Sequence, residues 1–458
     1  MSFENKIETY EILNTYLTQR KHREWVDIVD TWNPIDTAEY LETLTGEWRI
    51  AAFRLLKKDT AADIFAELNF DAQEAIIGGI ADREIAAIVE DLFVDDAVDL
   101  LEELPAGTVK RVLAAATPET RRLINHFLSY PENSAGSIMT AEYIDLKKTL
   151  TVERAVAQIR AEGIEKETVY VAYITNGARV LEGIVSLKDL LFASPDALLS
   201  DIMETDIVMA LTTDDRETVA DIISRYNLLA LPIVDKEKRL VGIVTVDDAM
   251  DVIKEEATED IEKMAAIVPD GKPYLKTSAF GIWKSRIPWL LLFMLSATIT
   301  GEIISGFEAS LALFPALVAF IPMLMNTGGN SGAQASATVI RGMSLGELDM
   351  KNIFHIIWKE FRVGLLCGIT LGACNFVKIL LVDRLLLNHL VTNEQALAVS
   401  LALAATVVFA KLIGACLPML AKSVRLDPTV VAGPFITTLV DALSLLVYFQ
   451  IASTILGI

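Results

Sequence analysis

The sequence predicts a multidomain membrane protein, in which an acidic soluble part precedes an all-α transmembrane domain. Two observations predict this class. Of the 458 residues 52% are hydrophobic, yet the formal net charge is −22. Residues 276–458 hold 12 basic and 9 acidic residues, a net of +3, so a net of −25 falls on residues 1–275. Apolar stretches of bilayer length begin only after Arg286, so charge and apolar sequence belong to different domains.

Four regions follow from this division. We expect an acidic helical N domain at residues 1–131, a tandem α/β repeat at 132–250, a connecting helix and linker at 251–275, and a five-helix transmembrane domain at 276–458. In the N domain, residues 61–68 are echoed by residues 97–104, and this spacing is typical of stacked helical hairpins in a superhelical array.

The tandem repeat is visible as two copies of one pattern. Ile138-Met139-Thr140 recurs as Ile202-Met203-Glu204, and residues 181–190 recur as 240–249. Each copy predicts a strand, a helix, two strands and a helix. The pattern Gly-x-x-[Ser/Thr]-x-x-Asp occurs in both copies and resembles a pair of CBS (cystathionine-β-synthase) modules. That resemblance implies an adenine nucleotide (ATP) site, and a pair without nucleotide stays open as the alternative. The residues concerned are Ser186, Asp189, Thr245 and Asp248.

Five apolar stretches predict the transmembrane domain: 287–306, 311–340, 360–382, 396–421 and 428–457. Basic residues cluster on alternate connections, on the side of the soluble part. Because Met1 is followed by polar sequence without an apolar signal region, we expect the N-terminus and the soluble domains in the cytoplasm. Five spans then place the C-terminus outside the cell (inner) membrane.

Two features of the membrane half point to an ion path. Asp441 stands alone in an apolar stretch, where a carboxylate costs about 2.5–3.5 kcal/mol and usually faces a water-filled path. Pairing with Lys411 is the structural alternative. The segment 326–334, Asn-Thr-Gly-Gly-Asn-Ser-Gly-Ala-Gln, predicts a broken second span with exposed carbonyls, or else close helix packing at Gly332. A single carboxylate without nearby His or Cys suits hydrated Mg²⁺.

The connecting helix is unusually acidic. Asp248, Asp251, Glu255 and Glu259 form one stripe at helical spacing, and like charges at this spacing repel one another. A solvated surface helix is the plain explanation. We favour a cation sensor, in which Mg²⁺ binds between this stripe and the acidic N domain and draws the two together.

The order of these regions resembles the MgtE family of magnesium channels over essentially the full length. The matching segments are 326–334, the run Gly433-Pro-Phe-Ile-Thr-Thr-Leu-Val-Asp441, and residues 244–260. The resemblance implies a homodimer with a central pore formed by spans two and five, and a connecting helix that plugs the pore when cytosolic Mg²⁺ is high. Ser444 departs from the family, in which glycine is frequent at this position.

The resemblance also implies site residues. Asp441 would hold the hydrated Mg²⁺, with Asn326, Gly329 and Thr437 around it. Regulatory Mg²⁺ would bind acidic side chains of the soluble part and connecting helix: Asp95, Asp99, Asp215, Glu217, Asp248, Asp251, Glu256, Glu259 and Asp260.

Other classes of function fit less well. The acidic soluble part would repel nucleic acid, so we expect no such partner. The sequence has no phosphate-binding loop, no His-Glu-x-x-His pair and no second mid-membrane acid for an aspartate dyad, so we expect no enzyme. Two alternatives stay open: a transporter of Mn²⁺, Co²⁺ or another divalent cation, and a non-conducting membrane sensor of cation or nucleotide.

Overall fold

The structure is a computed structural model that describes residues 3–271, 274–275, 277–387 and 390–457. It divides into two compact units, Met1–Ile253 and Lys254–Ile458, which we describe separately. The predicted domain boundary between residues 275 and 276 touches a residue outside the described ranges. The predicted C-terminal end of the last span, residue 457, lies inside them.

The N-terminal region of the first unit is entirely helical. Helices α5 to α10 begin at residues 58, 70, 82, 94, 106 and 118, one every 12 residues. The predicted 36-residue repeat therefore contains three short helices, not one helical hairpin. Each helix packs mainly on the second one along the chain, which generates a superhelix. The bounds are α1 Phe3–Thr18, α2 His22–Val29, α3 Pro34–Thr43, α4 Gly46–Phe53, α5 Lys58–Ala66, α6 Phe70–Gly79, α7 Asp82–Asp91, α8 Val94–Glu103, α9 Ala106–Ala115 and α10 Pro118–Phe127.

Local sequence explains these short helices. Asn33, Asn69 and Thr117 cap the N-termini of α3, α6 and α10 with their side chains, and α3 and α10 begin at a proline. Trp25 and Tyr40, with neighbouring Leu and Ile side chains, are fully buried in a continuous apolar core. Burial of this apolar face stabilises helices that are too short to persist alone.

The tandem repeat forms two small sheets of identical topology. In each sheet the middle strand pairs in parallel with the first strand and antiparallel with the third. The strands are β1 Ile144–Leu146, β2 Val171–Thr175, β3 Leu181–Ser186, β4 Ala210–Leu211, β5 Ala230–Val234 and β6 Leu240–Thr245. The helices are α11 Val152–Glu162 (followed by a 3₁₀ turn, Gly163–Glu165), α12 Leu187–Phe192, α13 Leu199–Ile202 and α14 Arg216–Tyr226.

The two copies exchange their Ile-Met motifs. Met203 packs on Gly183, so that a Cβ there would lie 2.7 Å from its sulfur, and Met139 packs on Gly242 in the same way. The backbone bridges Ile184↔Glu204 and Thr140↔Ile243 have the same exchange. Repetition of the motif in sequence therefore reflects a pseudo-symmetric pair of interlocked modules.

The connecting helix, α15 Val246–Met264, begins directly after β6 and earlier than the predicted residue 251. The boundary between the two units falls inside this helix.

The second unit contains the apolar helices. Four of them, within the described residues, are long and apolar enough to cross a membrane: Ala279–Gly306, Met350–Leu386, Asn393–Ser423 and Pro428–Leu456. The predicted second span divides into two short elements and a 24-residue helix whose Asn, Gly and Ser content lowers its apolar character. The bounds are α16 Ala279–Gly306, α17 Glu308–Leu313, a 3₁₀ helix Pro315–Phe320, α18 Ile321–Ser344, a 3₁₀ turn Met350–Asn352, α19 Ile353–Lys378 with a π-helical continuation Ile379–Leu386, α20 Asn393–Ser423, α21 Pro428–Ala432 and α22 Pro434–Leu456.

Glycines set the packing of these helices. Gly364, Gly368 and Gly372 of α19 lie on the backbone of α20, and a Cβ at Gly368 would be 2.6 Å from the Ala404 carbonyl oxygen. Gly332 of α18 and Gly414 of α20 contact each other through their backbones. Such close approach is typical of small-residue interfaces between membrane helices.

Candidate functional site

Asp441 lies on α22 where that helix faces α18. Thr437 and Asp441 are one turn apart, and both point toward Gly329. A Cβ built on Gly329 would lie 3.6 Å from Thr437 Cγ2 and 3.7 Å from Asp441 Oδ1. Since glycine has no side chain, a space the size of a methyl group remains between the buried Gly329 and the half-buried carboxylate.

The structural alternative for Asp441, pairing with Lys411, is not observed. These two described residues form no ion pair with each other, although Lys411 is buried within α20. A carboxylate that no neighbouring base neutralises is available to a cation.

The Asn- and Gly-rich segment is helical throughout. It lies within α18, so the expected broken backbone with exposed carbonyls is wrong for these described residues. The physical reason is that Gly328 and Gly332 serve close packing against α22 and α20, which a helix can provide. Asn330 donates a hydrogen bond to Asn326 Oδ1 (3.1 Å), and both side chains are exposed. Gly332 therefore fits the packing interpretation, and Asn326 remains accessible.

A second site is an acidic cluster in the first unit, which we define by Asp95, Asp96, Glu167, Asp247 and Asp248. Burial raises the pKa of Asp96 to about 6, and the charge of Asp248 adds to this effect. Burial, together with the charges of Asp248 and Asp247, raises the pKa of Glu167 to about 7. Burial raises the pKa of Asp248 to about 6 despite a hydrogen bond donated by Thr245, and the charge of Asp247 adds to the rise.

Asp95 is the most confined member of the acidic cluster. Its Oδ1 atom is inaccessible and has no hydrogen-bond partner among the described residues. Burial and the neighbouring charges of Asp96 and Asp248 raise its pKa well above the usual range. A charge so placed favours any cation that can enter.

The sequence identified only part of this cluster. Asp95 and Asp248 were predicted regulatory ligands, whereas Asp96, Glu167 and Asp247 were not. Glu167 follows a 3₁₀ turn, and helical spacing gives no signal that would place it beside α8. Adjacency to Asp95 and Asp248 is the one signal that could have suggested Asp96 and Asp247.

The other predicted regulatory acids lie elsewhere. Asp99 lines a cavity of about 200 Å³ with Asp96 and Glu103. Asp215 caps α14 by accepting a hydrogen bond from the backbone N–H of Glu217 (2.9 Å). The charge of Asp251 raises the pKa of Glu67, after burial as the main cause. Glu256, Glu259 and Asp260 belong to the second unit. Among the described residues, no three His, Cys, Asp or Glu side chains are arranged to hold a metal ion.

The end of the connecting helix contacts the start of α21 and α22 within the second unit. Lys263 Nζ lies 2.8 Å from Asp427 Oδ2 and 2.6 Å from Glu259 Oε1. Burial alone would lower the pKa of Lys263, but the hydrogen bonds to these carboxylates outweigh it and raise the pKa. The Met264 carbonyl oxygen lies directly against Gly433.

The predicted nucleotide residues form one equivalent pair in each module. Ser186 donates to Asp189 Oδ2 (2.5 Å) and accepts from the Asp189 backbone N–H (3.1 Å), which caps α12. Thr245 donates to Asp248 Oδ2 (2.5 Å). Asp189 is exposed, whereas Asp248 belongs to the acidic cluster. The first module therefore offers the more open and less acidic position.

Comparisons with known proteins agree with these observations. Family profiles match residues 321–451 (MgtE, divalent cation transporter), 32–133 (MgtE intracellular N domain) and 199–255 (CBS domain). The magnesium transporter MgtE of Thermus thermophilus is 35% identical over 94% of both chains, and that of Bacillus subtilis is 32% identical over 95% of both.

Solved structures of soluble parts are also similar. The soluble part of a magnesium transporter superposes with a TM-score of 0.53 at 28% identity, covering 55% of this chain and 99% of that one. The cytosolic domain of the Mg²⁺ channel MgtE in complex with ATP gives 0.50 at 33% identity, covering 52% and 98%. The Thermus and Bacillus relatives of this chain are named as transporters, which confirms the prediction that it is not an enzyme. With a helical N domain, a CBS pair and apolar membrane helices in this order, the chain belongs to the MgtE family of magnesium transporters.

Proposed function

We propose that this chain forms a homodimeric, Mg²⁺-selective channel in the cell membrane, in which Asp441 binds hydrated Mg²⁺ and cytosolic Mg²⁺ closes the pore. The observation that carries the proposal is the Asp441 carboxylate, which has no ion-pair partner within the described residues and faces the bare backbone of Gly329. Mg²⁺ keeps several waters and is held through one or two carboxylates, so it needs an acid beside open space.

A dimer supplies the second carboxylate. One chain contributes a single Asp441, and a two-fold axis would place two such acids around one ion. Asn326, Gly329 and Thr437 lie on the same two helices, and their oxygens or backbone would contact the water shell. Mass photometry of the purified protein tests the dimer, because a monomeric mass would contradict it.

The acidic cluster supports closure by cytosolic Mg²⁺. Its members raise one another's pKa values, which means that they repel when ionised. A divalent cation among them would relieve this repulsion, so Mg²⁺ favours the compact arrangement of the soluble part. Of the remaining predicted acids, Asp251, Glu256, Glu259 and Asp260 would extend the same response along the connecting helix. Asp99 on α8, and Asp215 and Glu217 at the start of α14, would add to it within the soluble part.

Basic residues on alternate connections support the orientation. We propose that the N-terminus and soluble domains are cytoplasmic and that the C-terminus is outside. A protease-cleavable tag on the C-terminus of the protein tests this when protease is added outside intact spheroplasts. Cleavage of the tag supports the orientation, and protection contradicts it.

The test of conduction is Mg²⁺ entry into liposomes that contain the purified protein and an internal dye. We expect flux in the wild type and none in Asp441→Asn, which keeps the size of the side chain and removes its charge. Glu302→Gln, an exposed acid in α16, is the control and should conduct. Absence of wild-type flux at low Mg²⁺ on the soluble side would favour a non-conducting sensor. Competition with Mn²⁺ and Co²⁺ then tests selectivity.

A second activity, ATP binding, is favoured by the Ser186–Asp189 pair, in which the Asp189 side chain is exposed. The relative solved with ATP is 33% identical over 52% of this chain. We propose that the CBS pair binds ATP with the Asp189 carboxylate on the ribose.

A further inference from the structure

We propose that Lys263 is a built-in cation that fastens the connecting helix to the base of the pore helix, so that it sets the Mg²⁺ concentration needed for closure. This inference rests on the proposed gating and adds a residue to it. The observation that carries the proposal is that the Lys263 ammonium group contacts two carboxylates. One belongs to Glu259, four residues earlier on the same helix, and the other to Asp427, 164 residues later in the chain.

The two carboxylates that contact Lys263 have different roles. Glu259 lies one turn before Lys263 on the same helix, so it holds the lysine side chain in place without linking separate elements. Asp427 lies across the contact, and its Oδ2 is 2.8 Å from the ammonium. The side chain of Lys263 is 22% exposed and that of Asp427 is 35% exposed, so the pair is sheltered but reachable by ions.

The Asp427 carboxylate is also held in place by hydrogen bonds that do not involve Lys263. Its Oδ1 accepts hydrogen bonds from the backbone N–H of Thr429 (2.9 Å) and from the Thr429 hydroxyl (2.6 Å), which caps α21. The hydrogen bonds from Lys263 and Thr429 outweigh burial and lower the pKa of Asp427. The carboxylate is therefore charged and oriented at neutral pH.

The contact reaches the pore helix by a short path. Helix α21 ends at Ala432, and Gly433 is both its C-cap and the N-cap of α22. Asp441 lies seven residues after Pro434, about 10 Å along the helix axis. Thr437 donates a hydrogen bond to the Gly433 carbonyl (3.2 Å), so the first turn of α22 is tied to the same residue.

Three further contacts hold the same end of the connecting helix and the residues that follow it. The Met264 carbonyl covers Gly433, where any larger residue would collide. The Met264 side chain packs on the apolar cluster around Val339 and Met419. Ser285 of α16 accepts a hydrogen bond from the Val268 N–H (2.9 Å). These contacts position Lys263, and the ion pair adds a charge-dependent part to the attachment.

In this arrangement the ammonium does what a bound cation would do: it neutralises acids on both sides of the joint. Without it, Glu259 and Asp427 would face each other as like charges, and the Met264 and Val268 contacts would have to hold the helix against that repulsion until Mg²⁺ binds. Closure would then require more Mg²⁺.

The test is the Mg²⁺ current across a planar bilayer, recorded while Mg²⁺ is raised on the side of the soluble domain. Lys263→Gln and Asp427→Asn should each raise the half-inhibiting Mg²⁺ concentration about three- to tenfold, as expected for one partly sheltered ion pair. The maximal current at low Mg²⁺ should not change. Lys422→Gln is the control, because this exposed lysine forms no ion pair within the described residues.

Two variants separate an ionic attachment from a merely structural role. Lys263→Arg keeps the charge pair and should return the half-inhibiting concentration close to the wild-type value, whereas Lys263→Gln combined with Asp427→Asn should raise it no further than either single change. An unchanged value in Lys263→Gln, or additive effects in the combined variant, overturns the proposal. A wild type that conducts but is not inhibited by Mg²⁺ would instead overturn the proposed gating, and a wild type without current the proposed channel.

Discussion

Asp441 of α22 and Gly329 of α18 face each other where these two helices pack, with 3.7 Å between the carboxylate Oδ1 and the position of a Cβ on the glycine. This distance is an ordinary van der Waals contact. A side chain at residue 329 would therefore fit the fold but would occupy the space beside the acid. The neighbouring glycine, Gly328, has no such room, and this contrast separates conduction from packing.

Gly329→Ala should fold normally and conduct less. Its methyl group would contact Thr437 and Asp441 without displacing them and would exclude water from the carboxylate. We expect a several-fold loss of Mg²⁺ flux in liposomes and an unchanged thermal unfolding midpoint. Flux equal to that of the wild type would place the ion path away from Gly329.

Gly328→Ala should instead destabilise the membrane unit. A Cβ there would lie 2.7 Å from Ser444 Oγ and 2.8 Å from Thr406 Cγ2, and both side chains are buried. Overpacking of this kind costs about 1–3 kcal/mol. The added change Ser444→Gly should recover part of this loss, because it removes the closer contact. Unfolding in detergent would measure both, and independent, additive effects would contradict the contact.

Sequence reasoning was most successful where a residue pattern has one structural solution. The repeated Gly-x-x-[Ser/Thr]-x-x-Asp segments predicted two equivalent modules, and the structure has them. The pattern at residues 61–68 and 97–104 predicted repetition but not its unit, since helices of 8–10 residues alternate too quickly for the apolar spacing to separate them.

The limits of prediction lay in tertiary contacts. Gly-rich sequence at membrane depth fits both a broken helix and a tightly packed one, and only the positions of Thr406 and Ser444 decide for packing. Glu167 lies about 70 residues from Asp96 in sequence, so nothing local announces their proximity. The Lys263–Asp427 pair joins a residue before the first apolar helix, α16, to a residue between α20 and α21. Neither segment alone could have predicted this contact.

The acidic cluster makes the stability of the soluble part depend on pH. Its carboxyl pKa values are raised on folding, from about 4 to about 6 for Asp96 and Asp248 and to about 7 for Glu167. A raised pKa means that the folded state holds more protons, so stability is greatest below about pH 4 for these groups and is lost as pH rises to about 7. Thermal unfolding of residues 1–253 without Mg²⁺ should show this fall between those values.

Mg²⁺ should reverse the loss at neutral pH. A cation that binds the ionised cluster stabilises the folded state by mass action, so the unfolding midpoint should rise with Mg²⁺ at pH 7.5 and little at pH 5. Equal shifts at both pH values would mean that Mg²⁺ binds elsewhere.

Asp95→Asn isolates the most confined carboxylate of the cluster. The substitution keeps the shape and removes a buried charge, so we expect a higher midpoint without Mg²⁺ and a smaller gain with it. Asp196→Asn, on an exposed turn, is the control and should leave both values unchanged. A lower midpoint for Asp95→Asn without Mg²⁺ would show that the charge is stabilised in a way that the cluster geometry does not provide.

ATP should bind chiefly through the first CBS module. Asp189 is exposed and lies outside the acidic cluster. Asp248 is a member of that cluster, and the neighbouring carboxylates would repel a triphosphate. Loss of a hydrogen bond to a charged group costs about 1.5–3 kcal/mol, so Asp189→Asn should weaken binding at least about tenfold in calorimetric titration of residues 1–253. Asp248→Asn should change the affinity less than about threefold, because the substitution removes a charge that repels the triphosphate. The opposite order of effects would move the nucleotide to the second module, where it would compete with Mg²⁺ for the same carboxylate.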